Sequence, residues 1–237
     1  MEKFFILLSI IVISLALPYI FKIYSLKKIS EQDLPDSGSW IELSRGNIYF
    51  EWFLPKGNEE IKGTIVLVHG FSTPSFVWRG LLDNFTNSGY KVLVYDHFGR
   101  GHSERPSVKY DKYLYLDTLR ELILSQEIQE KIHLVGYSMG GPIVGYYAEQ
   151  YYEETQSASL IAPAGFSKSI PDLRSWTTMP ILGDWYWRVF GDRLYGIGNM
   201  SETRFSDDPL SINEDEFVPL FNEQLQYRGF NEALLST

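Results

Sequence analysis

The pattern of apolar and polar positions sets an uncharged N-terminal segment apart from the rest of the chain. Phe4–Phe21 carries no charge over 18 residues. As a helix this run would be about 27 Å long, close to the hydrocarbon thickness of a bilayer. The pattern therefore predicts that residues 1–28 hold a single N-terminal membrane anchor. Lysines that follow the run, at positions 22, 27 and 28, favour a cytoplasmic location for the rest of the chain but leave its orientation open.

Two alternatives to an anchor remain for this segment. Ser14 and Ala16 are small residues at a candidate cleavage site, so the run could be a signal peptide of a secreted or periplasmic protein. The second alternative is a helix buried inside the folded protein.

After a polar, turn-rich linker at residues 29–39, strand and helix patterns alternate. Two short β-like runs flank "RGN" and predict a hairpin. Four apolar runs predict buried strands, at residues 63–70, 90–96, 131–137 and 157–165, and amphipathic helical patterns lie between them. This alternation predicts an α/β core over residues 40–165, with a mostly parallel sheet and right-handed crossovers.

The carboxyl ends of these predicted strands carry polar side chains. His69, Asp96 and Ser138 each fall at such an end. Ligands of open parallel sheets bind at the carboxyl ends of the strands. We therefore expect the functional site at this edge of the sheet.

The residue pattern of the chain changes at about Phe166. Residues 166–228 are rich in aromatic side chains, among them Trp176, Trp185 and Trp187, and lack strand alternation. The segment is interpreted as short helices forming a cap over the site, and a peripheral helical subdomain without a part in binding is the alternative. Residues 229–237 are expected to begin the return from the cap to the core.

Composition narrows the functional classes. The 237 residues are 44% apolar and 22% charged, with a net charge of −9, and no basic stripe indicates a nucleic-acid partner. The chain has no cysteine, which excludes disulfides, thiolate metal sites and a cysteine nucleophile. Nothing in the sequence indicates a metal or a cofactor.

The stretch "GYSMG" carries the clearest candidate chemistry. Ser138 lies between Gly136 and Gly140, after a predicted strand and before a predicted helix. A serine on such a sharp strand-to-helix turn is typical of a nucleophile, and the flanking glycines avoid collisions across the turn. The N–H of Met139 and the N-terminus of the helix could stabilise negative charge beside it.

The stretch "VLVHGFS" predicts a second part of the same site. The turn at Gly70 would let the N–H of Phe71 act as a second oxyanion donor beside that of Met139. His69 is expected to hold this loop by hydrogen bonding, with a catalytic role as the less favoured alternative.

With these motifs in place, the chain resembles an α/β-hydrolase of the lid-bearing type. The resemblance rests on four stretches in the family's order: "LVHGFSTPSFVW", "VLVYDHFGRGHSERP", "HLVGYSMGG" and "SLIAPAG". It implies a mostly parallel sheet with helices on both faces and a helical cap. It also implies that Ser138 is the nucleophile of an esterase or lipase, that Phe71 and Met139 supply the oxyanion amides, and that Asp96 is structural. The loop Asp96–Pro106 would border the site.

The triad base and acid are harder to place. All four histidines precede Ser138, whereas the family order is serine, acid, histidine. His133 would lie some 16 Å away at the wrong end of its strand. His97 and His102 are the only upstream stand-ins, and we expect both to be surface polar residues of a loop. Acids after Ser138 are numerous, but none can be assigned: Asp172, Asp184, Asp192, Asp207, Asp208 and Asp215.

The missing histidine leaves two hypotheses. The first is a membrane-associated serine hydrolase that acts on a small-molecule ester or a lipid. The second is a catalytically inactive fragment or a non-catalytic binding module. By comparison with the family, the last core strands with the acid and histidine loops are expected to be missing. The chain is then expected to be poorly stable alone or to be part of a longer reading frame.

Overall fold

A computed structural model describes residues 1–57, 60–165, 179, 181–194 and 210–237. Its strands are β1 (Ser39–Leu43), β2 (Gly46–Phe53), β3 (Gly63–Val68), β4 (Tyr90–Tyr95), β5 (Ile132–Tyr137) and β6 (Thr155–Ile161). Its helices are α1 (Glu2–Ser25), α2 (Arg79–Asn87), α3 (Lys112–Ser125), α4 (Gly140–Gln150), α5 (Leu182–Leu194), α6 (Glu214–Gln224) and α7 (Phe230–Ser236). Short 3-10 turns lie at Glu31–Asp33, Ser75–Trp78 and Tyr152–Glu154.

The six strands form one sheet in the order β1-β2-β4-β3-β5-β6. β1 and β2 form an antiparallel hairpin, and β2 is also antiparallel to β4. The other neighbouring pairs are parallel. The predicted α/β class, with its mostly parallel sheet, is confirmed. The carboxyl ends of β3, β4 and β5 therefore meet at one edge, where His69, Asp96 and Ser138 each directly follow a strand.

The central strands are apolar along their whole length because both faces of the sheet are covered. Ile65 and Leu67 of β3 pack with Trp78 and Leu82 on one face. The alternate residues, Val66 and Val68, belong to the core that α3 and α4 cover on the opposite face. Since neighbouring side chains of a strand point to opposite faces, a strand buried on both sides shows no polar alternation.

The loop after β4 is held to the sheet by the buried carboxylate of Asp96. Its Oδ1 accepts the N–H of Ser75 at 2.8 Å and its Oδ2 accepts the N–H of His102, also at 2.8 Å. Its backbone carbonyl accepts the hydroxyl of Ser103. Asp96 is 1% exposed. The carboxylate thus ties two loops at the carboxyl edge of the sheet to each other.

The N-terminal segment is a helix that stands apart from the core. None of the residues of α1 is buried, and by length and composition the helix could cross a membrane. The linker that follows contains a 3-10 turn, and its residue Ile29 is buried. Ser39, assigned to the linker from the sequence, begins β1.

Much of the predicted cap lies outside the described residues, including Trp176. The parts that are described, α5 and α6, are helical. After them, α7 packs its residue Ala233 into the core that α3 and α4 share.

Replacing Asp96 with alanine should lower the free energy of unfolding by about 2–4 kcal/mol, because two buried backbone N–H groups lose their acceptor. Asp83→Ala is the matched control. Asp83 forms an exposed ion pair with Lys56, and its loss should cost at most about 0.5 kcal/mol. Urea unfolding of both variants measures the difference, and equal stabilities would contradict a structural role for Asp96.

Candidate active site

The turn between β5 and α4 places Ser138 in an unusual backbone conformation. Its φ is 52°, in the left-handed region. For a residue with a side chain, this conformation costs about 1–2 kcal/mol. Such a conformation persists only where the surrounding structure imposes it, and it is often found at functional sites. The side chain of Ser138 is half-buried.

Three backbone hydrogen bonds impose this conformation. The N–H of Ser138 donates to the carbonyl of Ile161 at 3.0 Å. The carbonyl of Ser138 accepts the N–H groups of Gly141 at 3.1 Å and of Ala164 at 2.9 Å. Two of the three bonds come from the end of β6 and the segment after it. The turn is therefore pinned by the neighbouring strand as well as by its own helix.

The two glycines of the motif are required by close backbone contacts. A Cβ on Gly136 would overlap the carbonyl of Gly140, and a Cβ on Gly140 would overlap the carbonyl of Val68. The loop after β3 also approaches closely, because a Cβ on Gly70 would lie 3.2 Å from the Cβ of Ser138. The glycines that the sequence motifs place near Ser138, at positions 70, 136 and 140, thus belong to one closely packed region around it.

Two features bear on the candidate oxyanion donors. Met139 caps the N-terminus of α4, where the positive end of the helix dipole lies. Phe71 directly follows Gly70, and its carbonyl accepts the Nε of Arg100 at 2.8 Å. The N–H of Phe71 belongs to the peptide that it shares with Gly70, and the carbonyl of that peptide lies 2.8 Å from Nδ1 of His69, which holds the peptide plane in place.

His69 is fully committed to hydrogen bonds that hold the loops. Its Nε2 accepts the N–H of His97 at 2.9 Å, and its Nδ1 lies 2.8 Å from the carbonyl of Gly70. A carbonyl only accepts, so Nδ1 carries the proton and the ring is neutral. Burial holds the pKa of His69 well below its usual range, and the neighbouring His97 lowers it further. No ring nitrogen of His69 is left to accept a proton from Ser138.

His97 corrects one expectation from the sequence. It was predicted to be a surface polar residue, but its side chain is 0% exposed. Its Nε2 donates to the carbonyl of His69 at 3.2 Å, and its ring lies 4.1 Å from that of His69. Burial, with the nearby guanidinium of Arg100, lowers the pKa of His97 to about 3. The sequence run "YDHFGRG" is polar enough to resemble a surface loop, and only the fold shows that it is packed inward.

His102 is directed toward two carboxylates. Its Nε2 is 3.4 Å from Glu223 on α6 and its Nδ1 is 3.8 Å from Asp96. The hydrogen bond from His102 is the main cause of a lowered pKa at Glu223. His102 is only partly exposed, which also departs from the predicted surface position. Ser138 is not among the described residues that line the cavity beside His102.

His133 lies at the start of β5, as the sequence predicted, and its Nδ1 is 2.8 Å from the hydroxyl of Ser157. Within the described ranges, none of the four histidines hydrogen-bonds the hydroxyl of Ser138.

The structure does not assign a triad acid among the candidates from the sequence. Asp215 is exposed on α6, and the structures of the other side chains lie outside the described residues: Asp172, Asp184, Asp192, Asp207 and Asp208.

Sequence reasoning missed two contributors to this region. The first is the acceptor at the end of β6, Ile161, with the donor after it, Ala164, which together hold the turn. The second is the contact between the tilted rings of His69 and His97. The "SLIAPAG" stretch was itself predicted as part of the fourth strand, but residue type alone does not show which backbone hydrogen bonds such a stretch will form.

Comparison with known proteins extends this picture. The model of the family described as "alpha/beta hydrolase fold" matches residues 63–194, more than half of the chain. Among curated proteins, the chain is 37% identical over 100 residues to a Synechocystis protein named as a non-heme chloroperoxidase, covering 42% of this chain and 36% of that protein. It is 35% identical over 114 residues to Lipase 1 of Psychrobacter immobilis, covering 45% and 34%. The matched stretch thus spans about a third of these relatives.

Solved structures agree on the fold. The bromoperoxidase from Bacillus anthracis superposes with a TM-score of 0.63 at 20% identity, over 84% of this chain and 72% of that one. At this identity the match supports the fold alone.

Gly140→Ala should destabilise the protein by about 2 kcal/mol or more, because the new methyl group overlaps a backbone carbonyl that cannot move away cheaply. Gly145→Ala, in the same helix, is the matched control. Nothing lies within 4 Å of a Cβ there, so helix propensity should raise stability by about 0.5–1 kcal/mol. Thermal or urea unfolding compares the two, and effects of the same sign would contradict the close packing of the turn.

Acid should destabilise the fold through the buried histidines. Folded His97 stays neutral down to about pH 3, whereas the unfolded residue gains a proton near pH 6.5. The unfolded state therefore binds more protons in this window, and stability falls as the pH falls through it. His97→Gln should lose about 2 kcal/mol less than the wild type between pH 7 and pH 5. Urea midpoints at both pH values test this, and equal losses would refute it.

Proposed function

We propose, because the chain belongs to the α/β-hydrolase family, that Ser138 is the nucleophile of a serine hydrolase that cleaves carboxylic esters. The observation that carries the proposal is the strained turn. Ser138 has a left-handed backbone between two glycines that tolerate no Cβ, directly at the N-terminus of α4. Strain of this kind is costly, and it presents the hydroxyl above the carboxyl edge of the sheet.

The proposed reaction is acyl transfer in two steps. The Ser138 oxygen attacks the ester carbonyl, its proton passes to a base and then to the leaving alkoxide, and an alcohol departs. Water then attacks the acyl-serine ester and releases the carboxylic acid. The charge that develops on the carbonyl oxygen would be stabilised by the N–H groups of Phe71 and Met139. The proximity of Gly70 to Ser138 supports this pairing, as does the contact between the Gly70 carbonyl and Nδ1 of His69, which holds the Gly70–Phe71 peptide.

The base for the first step is not one of the four histidines in their present positions. His69 and His97 are buried and neutral, His102 is directed to carboxylates, and His133 is at the start of its strand. This arrangement favours a second candidate function, in which the 237-residue chain binds a ligand without turning it over. Removal of a triad member leaves only the residual rate from binding and the oxyanion hole.

Lipid acyl esters are the proposed substrate class. The apolar helix α1 supports an anchor that would hold the site at a membrane, and the similarity to a protein named as a lipase points in the same direction. We further propose that residues 166–228 form the cap over this site. A cleaved signal peptide is the alternative role of α1.

A fluorophosphonate probe should not label the purified chain above the level of a Ser138→Ala control, because no histidine of the described residues hydrogen-bonds the Ser138 hydroxyl as a base. Added imidazole can act as an external base. It should raise labelling of the wild type in proportion to its concentration and leave Ser138→Ala unchanged. Intact-mass spectrometry measures the adduct.

Two results would contradict parts of this proposal. Strong labelling of Ser138 without imidazole would show that a base is already present, and His97→Gln and His102→Gln would then identify it. Identical labelling of wild type and Ser138→Ala at every imidazole concentration would remove Ser138 as the nucleophile.

A further inference from the structure

The second half of α1 lies against α5, the described helix of the predicted cap. The indole Nε1 of Trp185 donates to the carbonyl of Leu15 at 2.7 Å. The guanidinium of Arg188 lies 5.5 Å from the ring centre of Tyr19. At the N-terminal end of α5, Ile181 shares a groove with residues 12–19 of α1. The two helices therefore run side by side in the same direction.

The contacts between the two helices show how deep α5 would lie in a membrane that α1 spans. Leu15 lies six residues before Phe21, the last residue of the uncharged run. At 1.5 Å per residue the separation is about 9 Å. If the uncharged run spans the hydrocarbon layer, Trp185 lies about 9 Å inside its boundary, and Ile181 lies at least as deep. Helices that lie in a membrane interface bury their apolar faces to about 5–10 Å.

The exposed side chains of this region change character along the same direction. Ile181 is 83% exposed and Leu182 is 64% exposed at the deeper end. Arg188, at the shallower end, forms an ion pair with Glu232 of α7 at 2.6 Å. Ile181 and Leu182 at the deep end and a neutralised charge at the shallow end match the change from acyl chains to headgroups, whereas Asp184, in the same turn as Leu182, is a carboxyl residue whose charged form would be costly among acyl chains.

Cations lie where α1 would leave the membrane. Lys28 and Arg228 are both exposed there. The N–H of Arg228 donates to the carbonyl of Lys27 at 2.8 Å, and its guanidinium lies 3.4 Å from the carbonyl of Ile23. Cationic side chains beside the end of a spanning helix are favoured at the level of lipid phosphates.

We propose that the N-terminal half of α5 inserts into the acyl-chain region of the bilayer beside α1. The partner of this surface is the lipid bilayer, and Ile181, Leu182 and Trp185 are the inserting residues. The inference rests on the anchor proposed above for α1. It places the described helix α5 in the membrane beside the anchor.

The experiment uses the absence of cysteine in the chain. Single variants Ile181→Cys and Leu182→Cys are labelled with an environment-sensitive fluorophore, and the full chain is placed in lipid nanodiscs at one copy per disc. Some lipids carry a nitroxide quencher, either near the headgroup or deep in the acyl chain. Leu124→Cys is the matched control, because Leu124 is a 57% exposed leucine of α3. Ile11→Cys, in the middle of α1, reports the anchor itself.

Labels at Ile181 and Leu182 should be quenched at least about twofold more than the label at Leu124, with the deep acyl-chain nitroxide the more effective, because both positions lie about 9 Å or more inside the hydrocarbon boundary. Quenching at Ile11 but not at Ile181 or Leu182 would overturn the inference and leave the anchor standing. No quenching at Ile11 would refute the anchor and the inference together. If the labels at Ile181 and Leu182 report an apolar environment only when several copies share a disc, a second copy of the chain covers these residues, and the lipid proposal is overturned. Ester chemistry at Ser138 is tested separately by the fluorophosphonate probe.

Discussion

The site depends on one steric constraint: backbone atoms occupy the space where side chains at Gly136 and Gly140 would be. Because these atoms touch, β5 can pass directly into α4 and force Ser138 into a left-handed conformation. The carbonyl of Val68 at the end of β3 takes part in the same contact. The pairing of β3 with β5, the start of α4 and the position of the serine therefore depend on the same close contacts.

The loops around this turn are organised by buried polar groups that satisfy one another. Asp96 accepts two backbone N–H groups, and His69 both donates and accepts between the loops after β3 and β4. Burying such groups is tolerable only because their hydrogen bonds are made internally. The same commitment removes these side chains from acid–base chemistry. These buried polar groups therefore hold the loops in place without supplying the group that would take the proton of Ser138 in the proposed reaction.

The alternation of apolar runs was enough to predict the sheet, the hairpin and the three polar residues at its carboxyl edge, since strand burial follows from side-chain periodicity and parallel pairing from the alternation of strands with helices. The order of the strands was not predicted. The role of Gly136 and Gly140 was also predicted from the sequence, because a glycine is directly recognisable there as a residue without a side chain. His97 was misplaced, since a polar residue in a polar run shows no sign of burial until a partner such as His69 is known. The contact of Trp185 with Leu15 joins positions 170 residues apart, and no local pattern predicts such a pairing.

Within the part of the chain that the structure describes, β6 pairs only with β5, and most of its residues are exposed. Yet the carbonyl of Ile161, at the end of β6, accepts the N–H of Ser138. Edge strands open locally at lower free energy than central strands. The amide of Ser138 is therefore expected to exchange its hydrogen with solvent at the opening rate of β6, while the amides of β3 remain protected. The position of the serine thus depends on an edge strand through Ile161 and on a buried strand through Gly70, which follows β3.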